Sequence, residues 1–258
     1  MTGSLVLVEP GVITILRLNS PPLNLVSQEM TADLDAALAA VEGDAAVRAV
    51  VLAATGMRAW SAGSDVKEFS SLRGRVGEGK LTKENAVYDR LAALELPTVA
   101  AIEGDALGGG LELALCCDFR VVAESARLGL PEVRLGVMPG SGGTRRLPRL
   151  IGLARAKEMI LLGETIDAAT ALDIGLVNRV AASGRAEAVA TELAEKLASR
   201  GPIGMREAKR LLNATLDVAA SEGRSRELEA SERVFASNDM LEGVAAFIEK
   251  RNPEFKNE

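Results

Sequence analysis

Apolar and polar positions alternate along the chain in a way that divides it into elements. Ser4–Val8 (SLVLV) and Val12–Leu16 (VITIL) are β-branched runs separated by Glu9-Pro10-Gly11, and they predict a hairpin. After Ser27, a favoured N-cap residue, Met30, Leu34, Leu38 and Val41 recur every three or four positions. They therefore share one helix face. Val47–Ala53 follows as a strand, and the order strand–helix–strand predicts layered α/β packing. Residues 71–83 (SLRGRVGEGKLTK) keep no period, and their glycines and charges predict a mobile surface loop. Val87, Leu91 and Leu94 mark a helix stopped by Pro97. Thr98–Ile102 and Phe119–Ala123 are short strand candidates flanking an Ala/Leu-rich helix.

Past about residue 142 the pattern is mostly helical. Leu193 and Leu197 share a face, as do Leu228 and Phe235. Asp239, with Glu242 three residues on, has the form of a capping pair for a last helix whose Leu241, Val244 and Ile248 are expected to face inward. No internal repeat or low-complexity linker is visible. The expected organisation is an α/β body over 1–195 and a helical extension over 196–258.

Composition narrows what such a fold can do. With 258 residues, 48% apolar and 26% charged, the chain has ample material for a buried core. Its 30 basic and 36 acidic side chains leave a net charge of −6, which argues against nucleic-acid partners, because these require a basic surface. Aromatic residues are only 3%, too few for base-stacking platforms. Histidine is absent. That excludes Ser-His-Asp and Cys-His catalysis, His-ligated zinc and an imidazole proton shuttle. Chemistry near neutral pH must then rest on carboxylates, lysines, backbone dipoles or a bound cofactor. The only cysteines, Cys116 and Cys117, are adjacent in an apolar stretch and are expected to be buried thiols of a reducing compartment. No apolar run reaches the roughly 18 residues of a membrane span. Residues 1–16 lack Lys and Arg, so a cytoplasmic location without a signal or transit sequence is expected.

Three segments carry candidate chemistry: Trp60–Lys67 (WSAGSDVK), Gly104–Ala114 (GDALGGGLELA), and Leu130–Gly136 with Pro139–Leu147. Gly108-Gly109-Gly110 opens a helix, where exposed N–H groups favour negative charge. Counted from Gly108, the sixth position of a dinucleotide fingerprint is Leu113. A phosphate-binding loop counted from Gly104 would need Lys where Gly110 stands. Glu112 lies in an apolar helix where a carboxylate is expensive to bury, and Glu132 follows Pro131 at a helix start. Either acid alone is also what an ordinary helix N-terminus carries. Two carboxylates near glycine-rich backbone donors, in a chain without histidine, are what acid–base chemistry on a polarised carbonyl requires.

SAGSD (61–65), GDALGGGLELA (104–114), LPEVRLGVMPGSGGTRRL (130–147) and AFIEKRNPEF (246–255), in that order, resemble the enoyl-CoA hydratase/isomerase, or crotonase, superfamily. The likeness runs from the first hairpin to Phe255. It implies an α/β spiral of repeated β-β-α turns, with C-terminal helices that form a homotrimer or, as a dimer of trimers, a homohexamer. It makes the backbone N–H groups of Ser64 and Gly109 an oxyanion hole for a thioester carbonyl. Ser64 stands where relatives commonly have Ala or Gly, which leaves a backbone donor intact. The main chain from Ala62 through Asp65 and Val66 to Lys67 would hold the CoA of an enoyl-CoA substrate. Glu112 and Glu132 match the two catalytic acids of hydratases. Lys250 matches a position that reaches CoA across a subunit boundary, and Phe247 one beside the pocket. The resemblance implies no metal and no cofactor other than the CoA of the substrate itself. Hydration of a 2-trans-enoyl-CoA is the expected reaction, with double-bond isomerisation or another acyl-CoA reaction of the superfamily as the alternative. Trp60 is expected to be packing, Arg145 and Arg146 to lie near a helix start or trimer contact, and Met138 and the 71–83 loop to border the acyl pocket.

Overall fold

A computed structural model describes residues 3–258, so the first two residues of the expected body lie outside the described part. β1 (Val6–Glu9) and β2 (Ile13–Leu18) form the antiparallel hairpin, Val6 opposite Leu18. The chain continues into α1 (Gln28–Glu42), whose cap is Ser27: its Oγ accepts the Met30 N–H, and Met30, Leu34, Leu38 and Val41 are buried as a stripe. Next come β3 (Ala49–Ala54), β4 (Ala59–Ser61), α2 (Thr82–Ala93), β5 (Thr98–Ile102), β6 (Asp105–Leu107) and α3 (Gly109–Ala114). β7 (Phe119–Ala123) and β8 (Arg127–Gly129) lead through a 3-10 turn at Glu132–Leu135 to α4 (Gly143–Ile151) and α5 (Leu153–Leu162). β9 (Thr165–Asp167), α6 (Ala168–Asp173), β10 (Arg179–Ala181) and α7 (Ala186–Ala198) complete the body. α8 (Pro202–Ala214), α9 (Ala220–Phe235) and α10 (Asn238–Glu249) follow. The expected boundary at 195 falls in the last turn of α7, which packs on the sheet as part of the body.

Two sheets run through the body. The larger has the order β1-β2-β3-β5-β7-β10, parallel from β2 onward; the smaller has the order β4-β6-β8-β9, with β4, β6 and β8 parallel. Each pass of the chain lays one strand in the large sheet and the next in the small one: β3 then β4, β5 then β6, β7 then β8. That is a spiral of repeated β-β-helix turns. The large sheet is covered on both faces, which is why β3 reads as an unbroken apolar run instead of alternating. Ala49, Val51 and Ala53 face Ala190 and Leu193 of α7, whereas Val50 and Leu52 join the main core with Leu34 and Leu111. Cys116 and Cys117 are buried free thiols.

Two expectations are corrected. Residues 71–83 are wound rather than a loop: a 3-10 helix at Val66–Leu72 is followed by a π-helical turn at Gly77–Leu81 that runs into α2. The charges misled because Lys80 is buried, paired with Glu68 and Glu84. The cap of α10 is Ser237, whose Oγ accepts the Met240 N–H. Asp239 instead accepts the N–H groups of Lys256 and Asn257. Leu241, Val244 and Ile248 face outward, as do Leu228 and Phe235, because within one chain nothing packs over that side of α9 and α10. Among the described residues no helix is long and apolar enough to cross a membrane.

Candidate active site

The three chemistry-bearing segments leave the ends of adjacent parallel strands in the small sheet. Residues 62–65 follow β4, Gly108–Gly110 follow β6 and Leu130–Gly136 follow β8. The first two approach closely. Gly63 has φ +96°, and a Cβ there would lie 2.8 Å from the Leu107 carbonyl and 3.4 Å from the Gly109 nitrogen, so only glycine fits. Val26 holds the loop by donating its N–H to the Gly63 carbonyl (2.9 Å) and accepting the Asp65 N–H (3.2 Å). Ser64, between these bonds, keeps its own N–H free, and so does Gly109 at the first position of α3. Neither donates to a protein acceptor among the described residues. The two groups are neighbours, since a Cβ on Gly109 would lie 3.5 Å from the Ser64 nitrogen.

Glu112 sits in the first turn of α3, a helix buried throughout. Its Oε1 accepts the N–H groups of Ser141 (2.8 Å) and Gly143 (2.7 Å), from the turn that opens α4. Burial pushes this carboxyl up to about 8 against the opposing Gly143 bond, and the charge of Glu132 adds to the rise. Glu132 comes from the 3-10 turn after β8. Both its carboxylate oxygens are enclosed and accept no hydrogen bond from the protein. Oε1 would lie 3.3 Å from a Cβ on Gly108, which places it against the glycine turn that opens α3. Burial lifts this carboxyl to about 7. Two unpaired N–H donors thus adjoin two carboxyls that titrate in the neutral range. Such a site can stabilise a developing oxyanion and move a proton.

Comparison with known proteins places the chain in a family. The family description Enoyl-CoA hydratase/isomerase matches residues 9–258. A probable enoyl-CoA hydratase of Bacillus subtilis is 42% identical over 251 residues, covering 95% of this chain and 96% of its own. A short-chain-enoyl-CoA hydratase of Clostridium acetobutylicum is 36% identical over 257 residues, covering 99% and 98%. The crystal structure of an enoyl-CoA hydratase from Bacillus anthracis superposes with a TM-score of 0.94 at 40% identity, over 98% of this chain and all of that one. The chain belongs to the enoyl-CoA hydratase/isomerase family. Its spiral is the crotonase fold.

Of the positions that the family resemblance singles out, the structure brings Ser64, Gly109, Glu112 and Glu132 to one place. Ala62, Asp65, Val66 and Lys67 flank it. The Ala62 N–H is tied to the Leu23 carbonyl, and the Asp65 side chain accepts the Lys67 N–H to start the 3-10 helix. Phe247 and Lys250 are not brought there within one chain. Phe247 is 85% exposed on α10, over a groove shared with Gly201, Met205 and Phe255, and Lys250 ends that helix. Trp60 is wholly buried packing in β4, and Arg145 and Arg146 open α4 paired with Asp89. Sequence reasoning quoted the Pro139–Gly143 run but missed that its Ser141 and Gly143 amides hold Glu112. The signal was a glycine-rich turn immediately before a helix, where unpaired N–H groups face whatever anion is near. Lys80, Glu84 and Tyr88 were missed as well.

Proposed function

We propose that this family member hydrates 2-trans-enoyl-CoA thioesters to 3-hydroxyacyl-CoA. The observation that carries the reading is the pair of enclosed carboxyls, Glu112 and Glu132, beside two unpartnered backbone N–H groups. When water adds at C3 of the enoyl group, charge builds on the thioester oxygen, and the Ser64 and Gly109 donors stabilise it. One such donor is worth about 3–4 kcal/mol. Two neighbouring carboxyls titrate as a unit, so near neutrality the pair holds one proton. Burial raises Glu112 to about 8, above the about 7 of Glu132, despite the two amides on Glu112 Oε1. At rest the shared proton therefore sits on Glu112, and it passes to Glu132 before Glu112, aimed by those amides, takes the proton of the water. Glu132, whose oxygens are enclosed beside the Gly108 turn, then delivers that proton to C2. Neither a metal nor a redox group takes part in this scheme.

Main chain from Ala62 to Lys67 holds the CoA, with Lys67 supplying positive charge in a chain of net charge −6. The outward apolar faces of α9 and α10 support assembly into a homotrimer or homohexamer, in which Phe247 and Lys250 reach a neighbour's substrate. The location consistent with two buried free thiols is the cytoplasm. Incubation with crotonyl-CoA should consume the enoyl-thioester absorbance. Turnover of a 3-enoyl-CoA without any hydration would reassign the reaction to isomerisation. A stable monomer in equilibrium sedimentation at micromolar concentration would remove the assembly.

A further inference from the structure

Lys80, Glu84 and Tyr88 are spaced four residues apart where the π-helical turn runs into α2, so they share one face of the winding. All three are buried: Lys80 is 3%, Glu84 1% and Tyr88 0% exposed. Each touches a different part of the site's support. Lys80 Nζ donates to the Val26 carbonyl (3.0 Å), the same oxygen that accepts the Asp65 N–H and so frames Ser64. It also pairs with Glu68 (2.9 Å) and lies 3.3 Å from Glu84 Oε2. Glu84 Oε1 accepts the Ser141 hydroxyl, and the N–H of that same Ser141 holds Glu112. The Tyr88 hydroxyl donates to the Gly109 carbonyl (3.0 Å).

We infer that Lys80, Glu84 and Tyr88 form a brace of positioning residues that sets the two backbone donors and the Glu112 loop in register with one another. The inference rests on the hydratase reading above for its turnover assay, and on geometry for the rest. A buried Lys–Glu pair is a poor source of stability, because desolvation offsets most of its attraction. What this pair supplies is a fixed arrangement of three backbone segments that arrive from three different passes of the spiral: 62–65, 108–112 and 139–143. Placement matters at this scale, since an error of about 1 Å in a reacting group costs on the order of 100-fold in rate.

The test uses Tyr88→Phe and Ser141→Ala, each of which deletes one hydroxyl and almost no volume. Tyr88→Phe should lower kcat by about 10–100-fold with KM changed less than about threefold, since the donor is misaimed while CoA binding is untouched. Ser141→Ala should lower kcat similarly by freeing the loop that holds Glu112. The second readout needs no turnover. A cinnamoyl-CoA bearing a para-amino donor absorbs at longer wavelength as its carbonyl oxygen is polarised. Tyr88→Phe should lose most of that shift on binding, whereas Ser141→Ala should retain it. Wild-type kcat and shift in Tyr88→Phe, or wild-type kcat in Ser141→Ala, overturns the brace. A loss of kcat no greater than the loss of folded protein by circular dichroism also overturns it, leaving those residues structural. A wild-type protein that shifts the chromophore but hydrates no enoyl-CoA rejects the hydratase reading alone, and the chromophore then decides the brace. Failure of the wild type to bind or polarise the probe overturns both.

Discussion

α3 and the turn after β8 each deliver one carboxylate to the same place, and they are built in opposite ways. α3 is buried from Gly109 to Ala114, and Glu112 leaves it already gripped by two amides. The turn carrying Glu132 is a short 3-10 winding that ends at Gly136 in the left-handed region. Its neighbours Leu135 and Met138 face outward, and its carboxylate has no partner. Two acids of one residue type are thereby given different surroundings. The amides oppose the rise that burial gives Glu112, yet its carboxyl still stands at about 8, above the about 7 of Glu132.

The largest effect that would break this contrast is on turnover. Glu112→Gln and Glu132→Gln should each cut kcat by about 10²–10⁴-fold, with the fold and CoA binding retained. The double variant should fall little further, because in the proposed scheme the two act as a unit. Steady-state kinetics on a soluble enoyl-CoA decides it: a wild-type rate in either single variant removes that residue's role.

Next in size is the donor side of α3. Gly109→Pro deletes an N–H at the first helical position, where a proline backbone is tolerated, and should cost about 10²–10³-fold in kcat. Circular dichroism must show an intact fold for that loss to count, and undiminished turnover would exclude the donor.

A smaller effect concerns stability and pH. Both carboxyls stand above their ordinary value of 4.5, at about 8 and about 7, so the folded chain binds more protons than the unfolded one between these values. Stability from their protonation is complete below about pH 4.5 and is lost as pH rises through 7 and then 8. Glu112→Gln stays neutral throughout. Its melting temperature should therefore exceed that of the wild type above about pH 8, with the gap closing toward pH 4.5. A gap independent of pH, measured by scanning calorimetry, would deny the raised carboxyl.

Least of all should change in Ser64→Ala, which keeps the backbone N–H and removes a hydroxyl only. A loss beyond about 100-fold would give that hydroxyl the weight of an oxyanion donor and overturn the backbone assignment.

How much of this was legible depended on length and on company. The stripe on α1 and the strands β5 and β7 stood out because four or five residues repeat one pattern, and the cap at Ser27 because its residue type opens that stripe. β4, β6, β8 and β9 are three residues each, too short for any alternation to register, yet three of them place the site. Glu112, Glu132 and the glycine turns were found through their motif. Their supports were not, because Lys80 and Glu84 sit in a run of charges that reads as solvated, and only folding shows that the charges meet one another. The same limit misplaced Leu241, Val244 and Ile248. Periodicity says that a face is apolar and is silent on what covers it.

Trp60 is the only tryptophan of the chain and Tyr88 the only tyrosine, and both are wholly buried. One lies in β4, four residues before Ser64; the other holds the Gly109 carbonyl. The protein therefore carries a native fluorescence reporter with no background from other indole or phenol rings. Its emission should lie at short wavelength while β4 is sealed and move to the red once water enters. Energy passed from the phenol to the indole falls as α2 and β4 separate. Unfolding that begins around β4 and α2 would be seen by light alone, without a label, and the remote helices α8 to α10, which carry neither ring, would add nothing to the signal.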